Sequence, residues 1–225
     1  GKDLFVEDDN VYMKTVKGPL KVDCIYRRLD DSFLDPKVFN KESLIGVPGL
    51  FKCWLKKNVG ILNAIGTGVA DDKVVYSYVN KMITYYLGEQ PLLNQVETYL
   101  CHEEEQKKYV LENLSKLVVK PANASGGYGL MIGPKAPKKE IEEVRQKILK
   151  NPREFIAQPL EVLSTGPTIT NNNIEPRHVD LRPFVLTGKS NYVTSGGLTR
   201  VALRKGSTIV NSSQGGGSKD TLIVG

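Results

Sequence analysis

The sequence predicts an α+β fold in which mixed and antiparallel sheets are flanked by helices. Short apolar runs bounded by glycine or proline, such as 59–64 and 117–119, are typical of strands. Apolar residues also recur at helical spacing, as Val110, Leu114 and Leu117 do. Hydrophobic residues make up 40% and charged residues 25% of the 225 positions, which indicates a folded globular chain.

The first predicted elements are strands over 11–17 and 22–29, separated by the turn Lys17-Gly18-Pro19. Two arginines and two aspartates end the second strand: Arg27, Arg28, Asp30 and Asp31. They could bind phosphate and metal, or pair with one another, and internal ion pairs are the favoured interpretation.

A buried strand over 59–64 leads into a glycine turn and a helix that Gly88 ends. Asp71 is the predicted N-cap of this helix. Asp71 and Asp72 allow two interpretations that the sequence does not separate. They could cap the helix and complement its dipole, or they could stand where helix N–H groups meet an anionic ligand.

A helix over 103–116 precedes a predicted hairpin of two strands, 117–120 and 129–133. The tip of the hairpin is rich in glycine, which lets backbone N–H groups approach phosphate oxygens closely. Lys120 at the strand end supplies a compact positive charge for the same phosphates. On this stretch alone, an ordinary hairpin with a surface lysine is the favoured interpretation.

The remaining elements are predicted from apolar runs, from the alternation of polar and apolar residues, and from the prolines and glycines that end helices and strands. They are a helix from Pro137 to Pro152, a buried strand over 155–160, a mobile polar loop over 165–176, and strands over 179–186, 196–203 and 208–211. Strand periodicity places Asp180 and Arg182 on one face. Three glycines in the segment 214–219 predict a mobile loop, either a lid that orders over phosphate or a linker.

The composition of the sequence argues against several classes of function. The formal net charge of +6 suits an anionic ligand, but no basic block is long enough to indicate nucleic acid binding. No apolar run approaches the ~18 residues that span a membrane, and no signal peptide is visible. Three dispersed cysteines indicate reduced thiols in a cytoplasmic protein, and two histidines exclude a histidine-rich metal site. Because the sequence stops after the apolar run 222–224, we expect a fragment of a longer protein.

Five segments occur in an order that resembles the circularly permuted ATP-grasp (type 2) proteins of bacteria. They are the lysine and glycine hairpin over 120–127, Phe155–Pro159, His178–Phe184, Gly197–Ala202 and Val210–Thr221. The upstream segments 26–31 and 68–73 resemble the same family. More distantly, the layout is similar to glutathionylspermidine synthetase and eukaryotic glutathione synthetase. The resemblance implies a permuted ATP-grasp region over 1–225 with lobes 1–101 and 102–225, and a missing N-terminal part.

The resemblance also implies ATP and Mg²⁺ as cofactors. Lys120 would meet the ATP phosphates, and the turn Ser125, Gly126, Gly127, Tyr128 and Gly129 would close over them. The backbone of the strand over 155–160 would hold adenine, with Ala157 and Gln158 as the candidate binding residues, although many relatives have glutamate or a hydrophobic residue at the position of Gln158. A glycine-rich lid would contribute Gly215, Gly216 and Gly217.

Charge neutralisation would come from Arg182, Arg200 and Lys219, the implied catalytic residues. The candidate metal ligands are Asp180, Asn211, Asp71, Asp72 and Asn63. Ala124 stands where the family has an acidic residue beside the glycine loop.

The implied activity is that of an ATP-dependent carboxylate–amine ligase, which forms a peptide or amide bond through an acyl phosphate. Its partners would be a small-molecule or peptide substrate with a carboxylate and the missing part of its own chain, with no nucleic acid or membrane. The alternative is a nucleotide-binding or scaffold module without catalytic activity.

Overall fold

The protein has the predicted α+β architecture, with mostly antiparallel sheets and short helices. The computed structural model describes residues 2–123, 129–170, 173–208, 210 and 215–222. The chain forms two compact units, Gly1–Tyr76 and Ser77–Gly225. The division into lobes 1–101 and 102–225 stays a prediction. Over the described residues, no helix combines the length and apolar character that a membrane crossing requires.

The first unit contains a three-stranded antiparallel sheet and a parallel pair of strands. Its regular elements are β1 (Leu4–Glu7), β2 (Asn10–Thr15), β3 (Gly18–Lys21), β4 (Cys24–Tyr26), α1 (Leu50–Leu55) and β5 (Gly60–Leu62). Buried apolar residues from the sheet, the helix and the parallel pair form one core. Its members are Val11, Leu34, Val47, Leu50, Cys53, Val59 and Ile61.

The predicted turn at Lys17-Gly18-Pro19 is wrong by one residue, and the strand expected over 22–29 covers only β4. Thr15 closes the turn early, because its hydroxyl donates to the Gly18 carbonyl at 2.6 Å and accepts from the Lys17 N–H at 3.2 Å. Gly18 can therefore begin β3 with φ of 106°, which glycine tolerates. Pro19 is accommodated because β3 is an edge strand.

A fully buried carboxylate, that of Asp35, holds the loop before α1. Its oxygens accept hydrogen bonds from the backbone N–H groups of Lys37 (2.9 Å), Gly49 (3.0 and 3.1 Å) and Phe51 (3.0 Å). The N–H groups at the start of a helix have no partner within the helix, so this carboxylate satisfies them and complements the dipole. One side chain therefore fixes both ends of the 35–49 loop.

The helical region after β5 begins differently from the prediction. A 3₁₀ turn, Thr67–Asp71, precedes α2 (Lys73–Ser77) and α3 (Val79–Leu87). The predicted N-cap at Asp71 is wrong, because the side chain of Asp72 accepts the Val74 N–H at 2.8 Å. Gly88 ends α3 in the left-handed conformation, as predicted.

The second unit contains two four-stranded antiparallel sheets. The first has the order β6-β9-β7-β8, and the second has the order β10-β11-β12-β13. The remaining elements are β6 (Tyr99–Leu100), α4 (Glu104–Asn113), β7 (Leu117–Pro121), β8 (Met131–Ile132), α5 (Lys138–Lys150), β9 (Phe155–Pro159), β10 (Thr165–Thr170), β11 (Asn173–Thr187), β12 (Asn191–Val201) and β13 (Gly217–Leu222).

The core of the second unit lies between the first of these sheets and the helices α4 and α5. Val119 and Ala157 from the sheet pack with Val110 and Ile148 from the helices. Cys101 belongs to the same core, and burial raises the pKa of its thiol to about 12. The predicted hairpin is confirmed, because β7 pairs antiparallel with β8.

Two predictions about the C-terminal sheet are wrong. The expected polar loop over 165–176 is mostly strand, because β10, which is rich in β-branched residues, pairs with the start of β11. Asn171 and Asn172 lie outside the described residues. The expected strand over 208–211 is not formed at Thr208 or Val210, and positions 209 and 211 are not described.

The role of Asp35 gives a testable prediction. Asp35→Ala removes the acceptor of three backbone N–H groups, at a cost of about 1–3 kcal/mol each where water cannot replace it, so the unfolding free energy should fall by roughly 3 kcal/mol. Asp30→Ala is the matched control, since the exposed Asp30 caps only the short turn at Asp31–Phe33 and should cost about 1 kcal/mol. Urea unfolding of both variants measures the difference, and equal losses would contradict this role.

Candidate functional site

A slot of about 270 Å³ opens in the second unit, on the face of β7 and β9 that is turned away from the core. Most of its wall is apolar, with a few polar groups. The lining residues are Val96, Val118, Lys120, Leu130, Ile132, Gln158, Pro159, Leu160, Glu161, Leu163 and Thr208. Ligand pockets usually measure ~300–1,000 Å³, so the slot suits a flat ring or one end of a larger ligand.

Strand pairing brings the polar groups of the slot together. Val118 lies directly opposite Gln158 in the ladder, so both side chains stand on the same face. Lys120 is two residues further along β7 and shares that face. The intervening Val119 and its partner Ala157 point the other way, into the core. The pleat therefore separates a packing face from a ligand face.

The polar end of the slot is a chain of three side chains. Lys120 Nζ donates to Gln158 Oε1 at 2.6 Å, and Gln158 Nε2 donates to Thr98 Oγ1 at 2.8 Å. The Thr98 hydroxyl in turn donates to the Val96 carbonyl at 3.0 Å. Gln158 is buried, so these contacts satisfy a side chain that water hardly reaches. The ammonium group of Lys120 is thereby held at a defined place at the slot.

Of the two predicted adenine-binding residues, Gln158 lines the slot and Ala157 does not. The side chain of Ala157 is fully buried in the core, and its backbone lies between β6 and β7, where it pairs with Tyr99 and Val119. Backbone groups outside the sheet begin only after Pro159, in the segment 160–163. The predicted adenine-binding strand includes Leu160 but not 161–163, although a proline at a strand end is a signal that the ladder stops there.

Most of the predicted phosphate loop cannot be placed. Ser125, Gly126, Gly127 and Tyr128 lie outside the described residues. Gly129 has φ of 70°, and a Cβ there would lie 2.9 Å from Pro121 Cγ. Glycine is therefore required where the hairpin returns to β8.

In the second sheet, two of the predicted site residues bind each other. Arg200 Nε donates to Asp180 Oδ1 at 2.8 Å, and Arg200 Nη2 pairs with Asp180 Oδ2, across directly opposed positions of β11 and β12. The hydrogen bond to Asp180 raises the pKa of Arg200 above its ordinary value. The exposed Arg182 stands on the same face, as predicted.

The predicted lid is partly a strand. Gly217 begins β13 opposite Val201, and a Cβ there would lie 3.0 Å from the Leu203 side chain, so backbone and side chain pack closely. Lys219 is paired with Thr199, on the face opposite Arg200, and its ammonium group binds the Pro167 carbonyl. The prediction of a loop through Lys219 is therefore wrong from Gly217 onward.

Only two lid glycines remain outside regular structure among the residues that the structure describes. Gly215 has a left-handed φ of 81°, and Gly216 joins it to β13. Lys219 does not share a sheet face with Arg182 and Arg200, so the three implied catalytic residues are not brought together on one face.

In the first unit, Arg27 is a structural residue. It is buried, and its Nη2 lies 2.7 Å from Asp31 Oδ1 and donates to the Ala64 carbonyl at 2.7 Å. Its Nε and Nη1 donate to the carbonyls of Asn63 and Leu29, each at 2.6 Å. These contacts tie the end of β4 to the loop after β5. The favoured interpretation of internal ion pairing is confirmed for Arg27 and Asp31.

The predicted metal ligands are dispersed. Among the described ranges, no three His, Cys, Asp or Glu side chains come together in a way that could hold a metal ion. Asp180 is bound by Arg200, Asp72 caps α2, and Asn211 is not described. Asn63 Nδ2 lies 3.5 Å from the Arg27 carbonyl, while Asp71 is exposed at the end of its 3₁₀ turn.

Comparisons with known proteins find a matching family and similar relatives for this chain. Residues 1–202 match the model of a family described as circularly permuted ATP-grasp type 2. An uncharacterized protein of Synechocystis sp. is 56% identical over 225 residues, which are all of this chain and 47% of that protein. An uncharacterized protein of Mycobacterium tuberculosis is 52% identical over the same length and is covered to 41%.

A third relative carries a functional name. The Frankia casuarinae protein "Putative glutamate--cysteine ligase 2-2" is 50% identical over 222 residues, which are 98% of this chain and 26% of that protein. The chain thus spans less than half the length of each of these three relatives.

The Asp180–Arg200 pair gives a prediction that distinguishes a structural role of Asp180 from a role as a metal ligand. Asp180→Asn weakens a half-buried, two-point ion pair and should lower the unfolding free energy by about 1–2 kcal/mol, measured in urea. Asp220→Asn is the control, because Asp220 is an exposed carboxylate on the same sheet face. If Asp180→Asn abolishes Mn²⁺ binding in the presence of ATP without lowering stability, Asp180 is a metal ligand and the structural role is contradicted.

Proposed function

The chain belongs to the circularly permuted ATP-grasp type 2 family, and on this premise we propose that it binds ATP in the slot beside Lys120. One observation carries the proposal. The strand-end lysine and Gln158, which the sequence singles out 38 residues apart, meet at 2.6 Å at one end of an apolar slot. A cation at the end of an apolar cleft suits a ligand with a flat apolar ring and an anionic tail.

The parts of ATP match different parts of the slot. The adenine ring lies between apolar side chains such as Val118, Ile132 and Leu163. The backbone of 160–163, which has left the sheet, offers N–H and carbonyl groups to the edge of the base. Glu161 and Thr208 offer polar groups to the ribose hydroxyls. Lys120 faces the phosphates as a point charge.

The family also implies Mg²⁺, a cation that is usually bound by carboxylate oxygens. The described residues supply no cluster of carboxylates, and Asp180 is engaged by Arg200. The described residues therefore do not fit a Mg²⁺ site. The cofactor prediction of Mg²⁺ stays a prediction.

For the whole protein, the proposed activity is an ATP-dependent carboxylate–amine ligase. A substrate carboxylate oxygen attacks the γ-phosphorus of ATP, so ADP leaves and an acyl phosphate forms. An amine then attacks the acyl carbon, loses a proton and expels phosphate. The name of the Frankia relative supports ligase chemistry weakly, since the matched region is only 26% of that protein. The substrate is a small molecule or peptide with a carboxylate.

A second candidate function is nucleotide binding without catalysis. It is favoured by the bidentate contact of Arg200 with Asp180, which engages two residues assigned to transition-state charge and metal. In this case the slot binds nucleotide, and the protein acts as a scaffold for the rest of its own chain or for another partner.

ATP binding is tested on the full-length protein by calorimetry and thermal shift. ATP should stabilise the native state, by about 2.7 kcal/mol at a concentration one hundred times Kd. Lys120→Ala removes a charged donor worth roughly 1.5–3 kcal/mol and should weaken ATP binding more than tenfold. Lys116→Ala, an exposed lysine just before β7, is the control and should bind as wild type does. An unchanged affinity in Lys120→Ala would contradict the proposal.

Trapping of the acyl phosphate separates the two candidate functions. Full-length protein is incubated with ATP, Mg²⁺, a mixture of amino acids and short peptides, and hydroxylamine, which converts an acyl phosphate into a stable hydroxamate. A ligase should release ADP and form one hydroxamate per ADP, detected by mass spectrometry. ATP binding without either product across the mixture would favour the non-catalytic module.

A further inference from the structure

The hydroxyl group of Thr98 occupies a position that determines how Gln158 can be oriented. Thr98 lies just before β6 and 60 residues from Gln158 in sequence. Its hydroxyl has one hydrogen, which it donates to the Val96 carbonyl at 3.0 Å. Toward Gln158, at 2.8 Å, the same oxygen can therefore only accept. The group that faces it must be a donor, which is the NH₂ end of the amide.

The orientation of the Gln158 amide also determines which of its atoms faces Lys120. When the NH₂ end faces Thr98, the carbonyl end faces Lys120, and the observed Oε1 to Nζ distance of 2.6 Å is a charge-assisted hydrogen bond. A flipped amide would place NH₂ hydrogens against the ammonium hydrogens and two acceptor oxygens against each other. Gln158 is buried, so water could not readily relieve these repulsions.

The use of glutamine at this position has an electrostatic consequence. A glutamate would hold Lys120 equally well but would add a full negative charge beside it. The carboxamide holds the ammonium group through a neutral acceptor and adds no negative charge of its own. An anionic ligand that approaches Lys120 therefore meets no repulsion from residue 158.

We propose that Thr98 is a positioning residue of the nucleotide site, which fixes the Gln158 amide so that its carbonyl oxygen holds Lys120 toward the phosphates. This inference rests on the proposed binding of ATP at the slot. Thr98 lies in the connection before β6 and is not among the residues that line the slot, so it acts on the ligand only through the amide.

The test compares two substitutions in the full-length protein and two ligands, ATP and adenosine. Thr98→Val has the shape of threonine without the hydroxyl, whereas Thr98→Ser keeps the hydroxyl. Loss of one hydrogen-bond acceptor should weaken ATP binding by Thr98→Val roughly three- to tenfold. Adenosine has no phosphate, so its affinity should stay within twofold of wild type. Thr98→Ser should bind ATP as wild type does.

The affinities for ATP and adenosine decide whether Thr98 has this role. Wild-type ATP affinity in Thr98→Val would overturn the proposal, and so would equal losses for ATP and adenosine, which indicate a general disturbance of the slot. If wild-type protein does not bind ATP at millimolar concentration, the proposed function itself fails and the role of Thr98 fails with it. Adenosine binding by all variants, with ATP weakened only in Thr98→Val, is the expected result.

A measurement on the wild-type protein covers the case in which Thr98→Val does not fold. The Gln158 side-chain NH₂ should show nuclear Overhauser effects to the Thr98 methyl group in the full-length protein with selectively labelled glutamine and threonine. Effects from this NH₂ to the Lys120 ε-methylene in place of the Thr98 methyl would show the flipped amide and overturn the proposal.

Discussion

The antiparallel pairing of β7 with β9 determines both the core of the second unit and its candidate site. Because side chains alternate along a strand, this one register sends Val119 and Ala157 into the core and sends Lys120 and Gln158 to the slot. A slip by one residue would place the lysine against the helices α4 and α5. Burial of apolar surface on the core face is therefore what holds the polar face in register.

On the polar face, the hydrogen bonds form only if each donor meets an acceptor. Lys120 can only donate, Thr98 has a single hydrogen that is used toward Val96, and Gln158 joins them because an amide offers both kinds of group. Such a chain has one satisfied arrangement. The result is a cation whose contact with residue 158 adds no negative charge, which favours the recognition of an anionic ligand.

Sequence reasoning predicted the parts of this site that depend on local pattern. The apolar run before Lys120, the hairpin with β8 and the strand β9 were all visible as alternation and turn residues. It could not predict contacts between distant segments. Nothing local indicates that Gln158 meets Lys120, or that Thr98 reaches Gln158 across 60 residues. Those contacts are set by strand order.

Charged residues were the least predictable from sequence, because a pattern does not show whether a charge is already paired within the fold. Arg27 and Asp31 form an internal pair, as the local spacing suggested. Asp180 and Arg200 also pair, but their contact depends on the register between β11 and β12. The three glycines before Lys219 predict a loop, whereas the pairing of Gly217 with β12 places Lys219 in a strand.

The central claim is that the slot on β7 and β9 holds the base of ATP, and photolabelling tests it most directly. The full-length protein is irradiated with 8-azido-ATP, digested and mapped by mass spectrometry, with excess ATP as competitor. We expect ATP-protected labels on residues that line the slot, from Val118 to Ile132 and from Gln158 to Leu163. Labels confined to other parts of the protein, with the same protection by ATP, would contradict the account.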